Sequence, residues 1–111
     1  MTDRKLLEDA AKAAGLNVDI DENWTKGELP YFHLVDERGR LWNPLTDDGD
    51  ALRLMARLNI NVFYRENING AFVIADHEGI ECCPESLDGP HEDVATRRAI
   101  VRAAAAIGAA K

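Results

Sequence analysis

Three aspartates, Asp47, Asp48 and Asp50, stand within four positions of this chain. Carboxylates so close together can hold a hard cation through oxygen ligands, and with His33 they would form a small metal-dependent or ligand-binding site. They fall short of a calcium loop, because the alternating ligands and the closing glutamate are missing. The competing reading is a helix start, where carboxylates are favoured by orphan N–H groups and by the helix dipole. If Asp47 is the cap, Asp50 lies three residues on, as in an acidic variant of a capping box. Three carboxylates on the approach disfavour a bound anion there. Trp42 and Asn43 stand just upstream. Trp42 reads as a core anchor; if exposed beside the acidic turn, it would instead be a binding hot spot. Asn43 suits a hydrogen bond to its own turn.

The other candidates carry less. His33, His77 and His91 with Cys82 and Cys83 are the only soft-metal set, and they lack the Cys-x-x-Cys or His-x-x-x-His spacing of zinc sites. Neighbouring cysteines on a strand point to opposite faces, so neither one shared ion nor a disulfide suits them. The flanking Glu81 and Glu85 disfavour a reactive thiolate. Arg97, Arg98 and Arg102 lie on one helical stretch. They read as a solvated face paired with Glu92, Asp93 or the acidic surface of the sheet; a small phosphate or nucleic-acid patch is the alternative. There is no glycine-rich phosphate loop, Gly-x-Ser-x-Gly elbow or His-Glu-x-x-His helix. The residues therefore yield no catalytic assignment, no metal assignment and no cofactor, and they lean away from an enzyme.

The whole chain sets the bounds. Its 111 residues make one domain, residues 1–111, with enough surface to bury for a core without staples. Twenty acidic against thirteen basic residues give a net charge of −7. That field repels phosphates and argues against nucleic acid as a partner. It leaves open a basic protein partner, or imitation of a polyanion. Adjacent cysteines make no disulfide framework, which fits a reducing cytosol. No apolar signal segment follows the charged start, and no run is long enough to span a bilayer, so the expected location is cytoplasmic.

Periodicity supplies the elements that must hold these residues. Leu6, Leu7, Ala10, Ala11 and Ala14 recur at helical spacing, with Thr2 as cap and Gly15 as stop. The spacing predicts a helix over 3–14. Residues 17–30 read as loop with a short extended piece. Tyr31 to Val35 is strand-like, Asp36 to Gly39 has the composition of a type I turn, and Arg40 to Trp42 is the expected return. Thr46 or Asp47 caps a second helix whose stripe is Ala51, Leu52, Leu54, Met55 and Leu58, ending at Asn59. Three strands follow: residues 60–65, 71–75 and 80–83. Asn69 and Gly70 join the first two, and a second Asp-x-x-Gly turn at Asp76 to Gly79 joins the last two. A loop over 84–90 leads to a helix over 91–110, rich in small alanines. Short connections imply a mainly antiparallel sheet. The fold class is α+β, a layered α/β sandwich with a sheet of about 3–5 strands and three helices in the order α-ββ-α-βββ-α.

Trp42-Asn43-Pro44-Leu45-Thr46-Asp47-Asp48-Gly49-Asp50-Ala51-Leu52-Arg53-Leu54 resembles the signature of a family of small phage and prophage proteins, the phage ABA sandwich domain. Ala95 to Ala105 is similar to that family's last helix, and Leu6 to Gly15 to its opening. The resemblance implies a layered α/β sandwich of bacteriophage or prophage origin and no named activity. It supplies no catalytic residue to carry over.

Three functions follow as expectations. The first is a non-enzymatic phage accessory protein that binds a host or phage protein in the bacterial cytoplasm, with Trp42, Asn43, Asp47, Asp48 and Asp50 as binding residues and no membrane partner. The second is a small-ligand or divalent-metal site on the aspartate cluster. The third is an acidic DNA mimic, ranked last because the acids are interleaved with arginines. The alanine-rich last helix could also serve a homo-oligomer.

Overall fold

The computed structural model describes residues 3–17, 19–20, 34–35, 42–81, 84–87 and 91–110. Helix α1 spans Asp3–Ala14, with the predicted bounds. It stops where Gly15 takes φ 72 and Leu16 folds back, its N–H donating to the Ala11 carbonyl at 2.9 Å. This is the left-handed stop that glycine makes at low steric cost. The expected cap, Thr2, lies outside the described residues.

Strands β1 (Asp19–Ile20) and β2 (Leu34–Val35) pair antiparallel, Asp19 opposite Val35 and Ile20 opposite Leu34. The short extended piece at residue 19 is thus the partner of the strand near residue 35. Trp42, expected at the end of a returning strand, lies in no strand and is buried. The turn expected over 36–39 lies outside the described residues.

Helix α2 (Asp48–Leu58) ends at Asn59, which takes φ 53 while the Ile60 N–H reaches the Met55 carbonyl at 3.0 Å. The chain then enters a long hairpin of β3 (Asn61–Asn67) and β4 (Gly70–His77). Asn67 faces Gly70, so Ile68 and Asn69 form a two-residue loop. After His77 the turn is Glu78 and Gly79, both left-handed at φ 54 and 82. The Asp-x-x-Gly composition suggested a type I turn. Instead, strand pairing extends to His77 and leaves two residues, and a two-residue hairpin favours positive φ because that twist matches the strands.

Strand β5 (Ile80–Glu81) pairs with the end of β4, and β6 (Glu85–Ser86) pairs with its middle, Val73 opposite Glu85. β6 replaces part of the expected loop over 84–90. Two polar residues after a proline carry no strand signal; the pairing comes from the neighbour. The result is an open antiparallel sheet of four strands. Helix α3 (Glu92–Ala109) closes the described chain. Among the described residues the fold is α+β, with three helices and this sheet, as the pattern predicted.

Val73 and Ala75 of β4 point to the helices and join one core with Leu6, Leu7, Trp42, Leu54, Ile100 and Val101. Ile74, on the opposite face, is equally buried but stands apart from that cluster. Helix α3 is the hub: it lies on β4 and β6, and α1 and α2 pack on it. The α1–α3 contact is close because of small residues. A Cβ on Gly108 would lie 1.8 Å from the Asp9 carbonyl oxygen. No helix among the described residues is long and apolar enough to cross a membrane.

Candidate functional site

The turn before α2 is built by Asn43. Its side-chain oxygen accepts the Leu45 N–H at 3.0 Å, and its carbonyl accepts the N–H groups of Thr46 and Asp47 at 3.1 and 2.9 Å. Asparagine before proline suits this geometry, since it mimics a backbone turn and proline presets φ at the next position. Pro44 is fully buried and Trp42 is 6% exposed, so the turn is pinned to the core from beneath. Trp42 offers a partner no surface; the hot-spot reading of this residue gives way to the core anchor.

Each aspartate has its own task. Asp47 caps α2, its carboxylate accepting the Asp50 N–H at 2.8 Å. Asp50 is buried and reaches back to accept the Asn43 N–H at 2.9 Å, while its other oxygen meets Arg53 at 2.7 Å. In a capping box this acid would return to the cap's own N–H. Here that N–H is already bound to the Asn43 carbonyl, so Asp50 reaches further upstream. Asp48 pairs with Arg97 of α3. Asp47 and Asp50 share Arg53, at 3.9 and 2.7 Å, while Asp48 turns to Arg97. Among the described residues no three His, Cys, Asp or Glu side chains gather as a metal set. His33, Cys82 and Cys83 lie outside the described residues, and His77 and His91 sit at opposite ends of the β4–α3 segment.

Arg97 ties the turn to α3. Its Nε donates to the Leu45 carbonyl at 2.9 Å, and its guanidinium bridges Asp48 and Asp93. The side chain is only 12% exposed. Burial pulls the Arg97 pKa down, but its hydrogen bonds to the Asp48 and Asp93 carboxylates, with their charges, outweigh that and raise it overall. Asp93 is held below its ordinary 3.8: a backbone hydrogen bond from Val94 contributes most, and Arg97 adds to it against the effect of desolvation. The other two arginines are also engaged, Arg98 with Asp3 at 2.9 Å and Arg102 with Glu85 at 2.8 Å. That leaves no free phosphate patch on this helix.

Beside Arg97 opens a groove of about 460 Å³ between α2, α3 and β3. Leu52, Met55, Val62, Tyr64 and Ile100 supply its apolar lining, and Asp48, Glu92 and Asp93 its acidic rim. Leu52 was expected in the core stripe, but it is 59% exposed, while Leu54 is 3% exposed. Tyr64 is 63% exposed, with its hydroxyl 3.5 Å from the Thr96 hydroxyl. The physical reason is the seat of α3. It covers β4 and leaves the helix-facing side of β3, with Val62 and Tyr64, partly open. Of the five binding residues named from sequence, Asp48 alone lines this groove; Asp47 caps α2 and is exposed, and Trp42, Asn43 and Asp50 build the turn before that helix. The groove residues Leu52, Tyr64 and Glu92 were missed. Helical spacing could have found Leu52, because Ala51, Leu54, Met55 and Leu58 complete an i, i+3, i+4, i+7 stripe without it.

No family model matches the chain, and no curated protein or solved structure is similar to it.

Proposed function

We propose that this chain is a non-enzymatic protein-binding module, a phage or prophage accessory protein acting in the bacterial cytoplasm on a host or phage protein. The single observation that carries the binding role is the open groove with Leu52 and Tyr64 at its mouth, 59% and 63% exposed. Large apolar side chains grouped on a surface, rimmed by charge, mark interaction sites. The phage setting rests on the resemblance of residues 42–54 and 95–105 to the phage ABA sandwich domain.

The small-ligand reading draws less support. The aspartates are occupied by Asn43, Arg53 and Arg97, and a divalent ion would have to displace those partners. The DNA-mimic reading needs rows of unpaired acids on one face, whereas the acids around α2 are interleaved with bound arginines.

The test is affinity capture from bacterial lysate with the wild-type protein and with Leu52→Glu. One specific protein retained by the wild type and lost with the variant supports a binding module. Equal capture by both, or none by the wild type, overturns it and turns attention to a melting screen with divalent cations and nucleotides.

A further inference from the structure

The geometry points to a basic amphipathic helix of another protein as the occupant of the groove between α2, α3 and β3. This inference rests on the binding role proposed above and adds the chemistry of the partner.

Two features of the groove select that partner. The first is charge. Three carboxylates, Asp48, Glu92 and Asp93, line the groove against one guanidinium, Arg97. Arg97 is enclosed and already bridges two of the acids. Glu92 has no cationic partner among the described residues. Glu66, two residues beyond Tyr64 on the same face of β3, is exposed as well. The rim is therefore acidic in excess, within a chain of net charge −7. Lysine or arginine flanks on a partner would be drawn to it, and a second copy of this acidic chain would be repelled.

The second feature is the layer the groove interrupts. A sheet buries its apolar face under helices. Helix α3 lies over β4 and β6, and β3 presents Val62 and Tyr64 with only partial cover. The floor is Val62, Met55 and Ile100; Leu52 of α2 and Thr96 of α3 stand on either side. An apolar stripe at positions i, i+3, i+4 and i+7 would lie along this floor as a further helix of the layer, with its basic residues against Glu92, Asp93 and Asp48.

Three synthetic peptides of one length test this against isotope-labelled protein by NMR titration. The first has leucines at helical spacing and lysine flanks. The second has the same composition with leucines at every second position, the pattern of a strand. The third keeps the helical leucines with glutamate flanks. The helical lysine peptide should bind saturably, shift the resonances of Leu52, Tyr64 and Thr96, and weaken as salt rises. The glutamate peptide should bind about tenfold more weakly or not at all. Leu52→Glu should cost the lysine peptide at least about tenfold, and Glu92→Lys should weaken it while admitting the glutamate peptide. Equal binding of the two charge forms, tighter binding of the alternating peptide, or shifts away from the groove each overturn the helix assignment. A lysate partner lost with Leu52→Glu, with no peptide binding, refutes the basic helix alone. Failure of both refutes the binding role with it.

Discussion

The carboxylate of Asp50 accepts the backbone N–H of Asn43 at 2.9 Å across seven positions, and so locks the turn before α2 onto the first turn of that helix. Asp50 is buried, and its second oxygen is held by Arg53 at 2.7 Å. Three aspartates that look alike in sequence therefore differ in weight. Asp50→Ala leaves the Asn43 N–H without its partner and should cost about 2–3 kcal/mol. Asp47→Ala removes a cap and should cost about 1 kcal/mol. Asp48→Ala breaks a pair whose carboxylate is exposed and should cost less than about 1 kcal/mol. Urea unfolding of the three variants gives the order directly. A cation site shared by all three would instead give similar losses that depend on added metal.

Leu52 and Leu54 form a second contrast. Leu54→Ala should destabilise by about 2–5 kcal/mol, as a buried leucine does. Leu52→Ala should change stability by less than about 0.5 kcal/mol. Thermal or urea unfolding of the pair checks both. A large loss at Leu52 would mean that the groove is closed in solution.

Gly108 should behave against its helix propensity. Alanine is preferred over glycine within a helix by about 1 kcal/mol. Here the new methyl would meet the Asp9 carbonyl oxygen at 1.8 Å. Gly108→Ala must push α1 and α3 apart and should destabilise by about 1–3 kcal/mol. A stabilised variant would refute this close packing.

Acid should weaken the clasp at Arg97. Asp93 has a lower pKa folded than its ordinary 3.8, so folding favours the deprotonated form. Its contribution is present in full well above pH 3.8 and is lost as the pH falls through the folded value. Arg97 stays protonated throughout that range. Asp93→Asn should therefore be less stable than the wild type at neutral pH, with the difference narrowing below about pH 4. Unfolding midpoints of both proteins between pH 3 and 7, against a flat difference as the contrary result, decide it.

The parts of this fold that were legible in the sequence are those fixed by near neighbours. Gly15, Asp47 and Asn59 each end or start a helix through bonds within a few residues, and each does so where its type predicts. The strand Asn61–Asn67 and the helix Glu92–Ala109 follow from their periodicity. What was not legible depends on distant partners. Arg97 binds the Leu45 carbonyl from 52 positions away, and no local pattern announces that. β6 is strand because β4 lies beside it. Leu52 is the exception: it stands two positions from Leu54 and so on the other side of α2, a placement that helical spacing does give. The groove is a gap between elements, so its other residues carry no signature of their own.

The central claim is that this groove holds a protein partner, and site-directed photo-crosslinking tests it most directly. A photoreactive amino acid is placed at position 52, at the groove, and separately at position 80, exposed on the β5 side of the sheet. Each protein is irradiated in bacterial lysate and its adducts are resolved by mass. The account predicts one dominant adduct from position 52 and none of it from position 80. No adduct from position 52, or the same adduct from both positions, would contradict it.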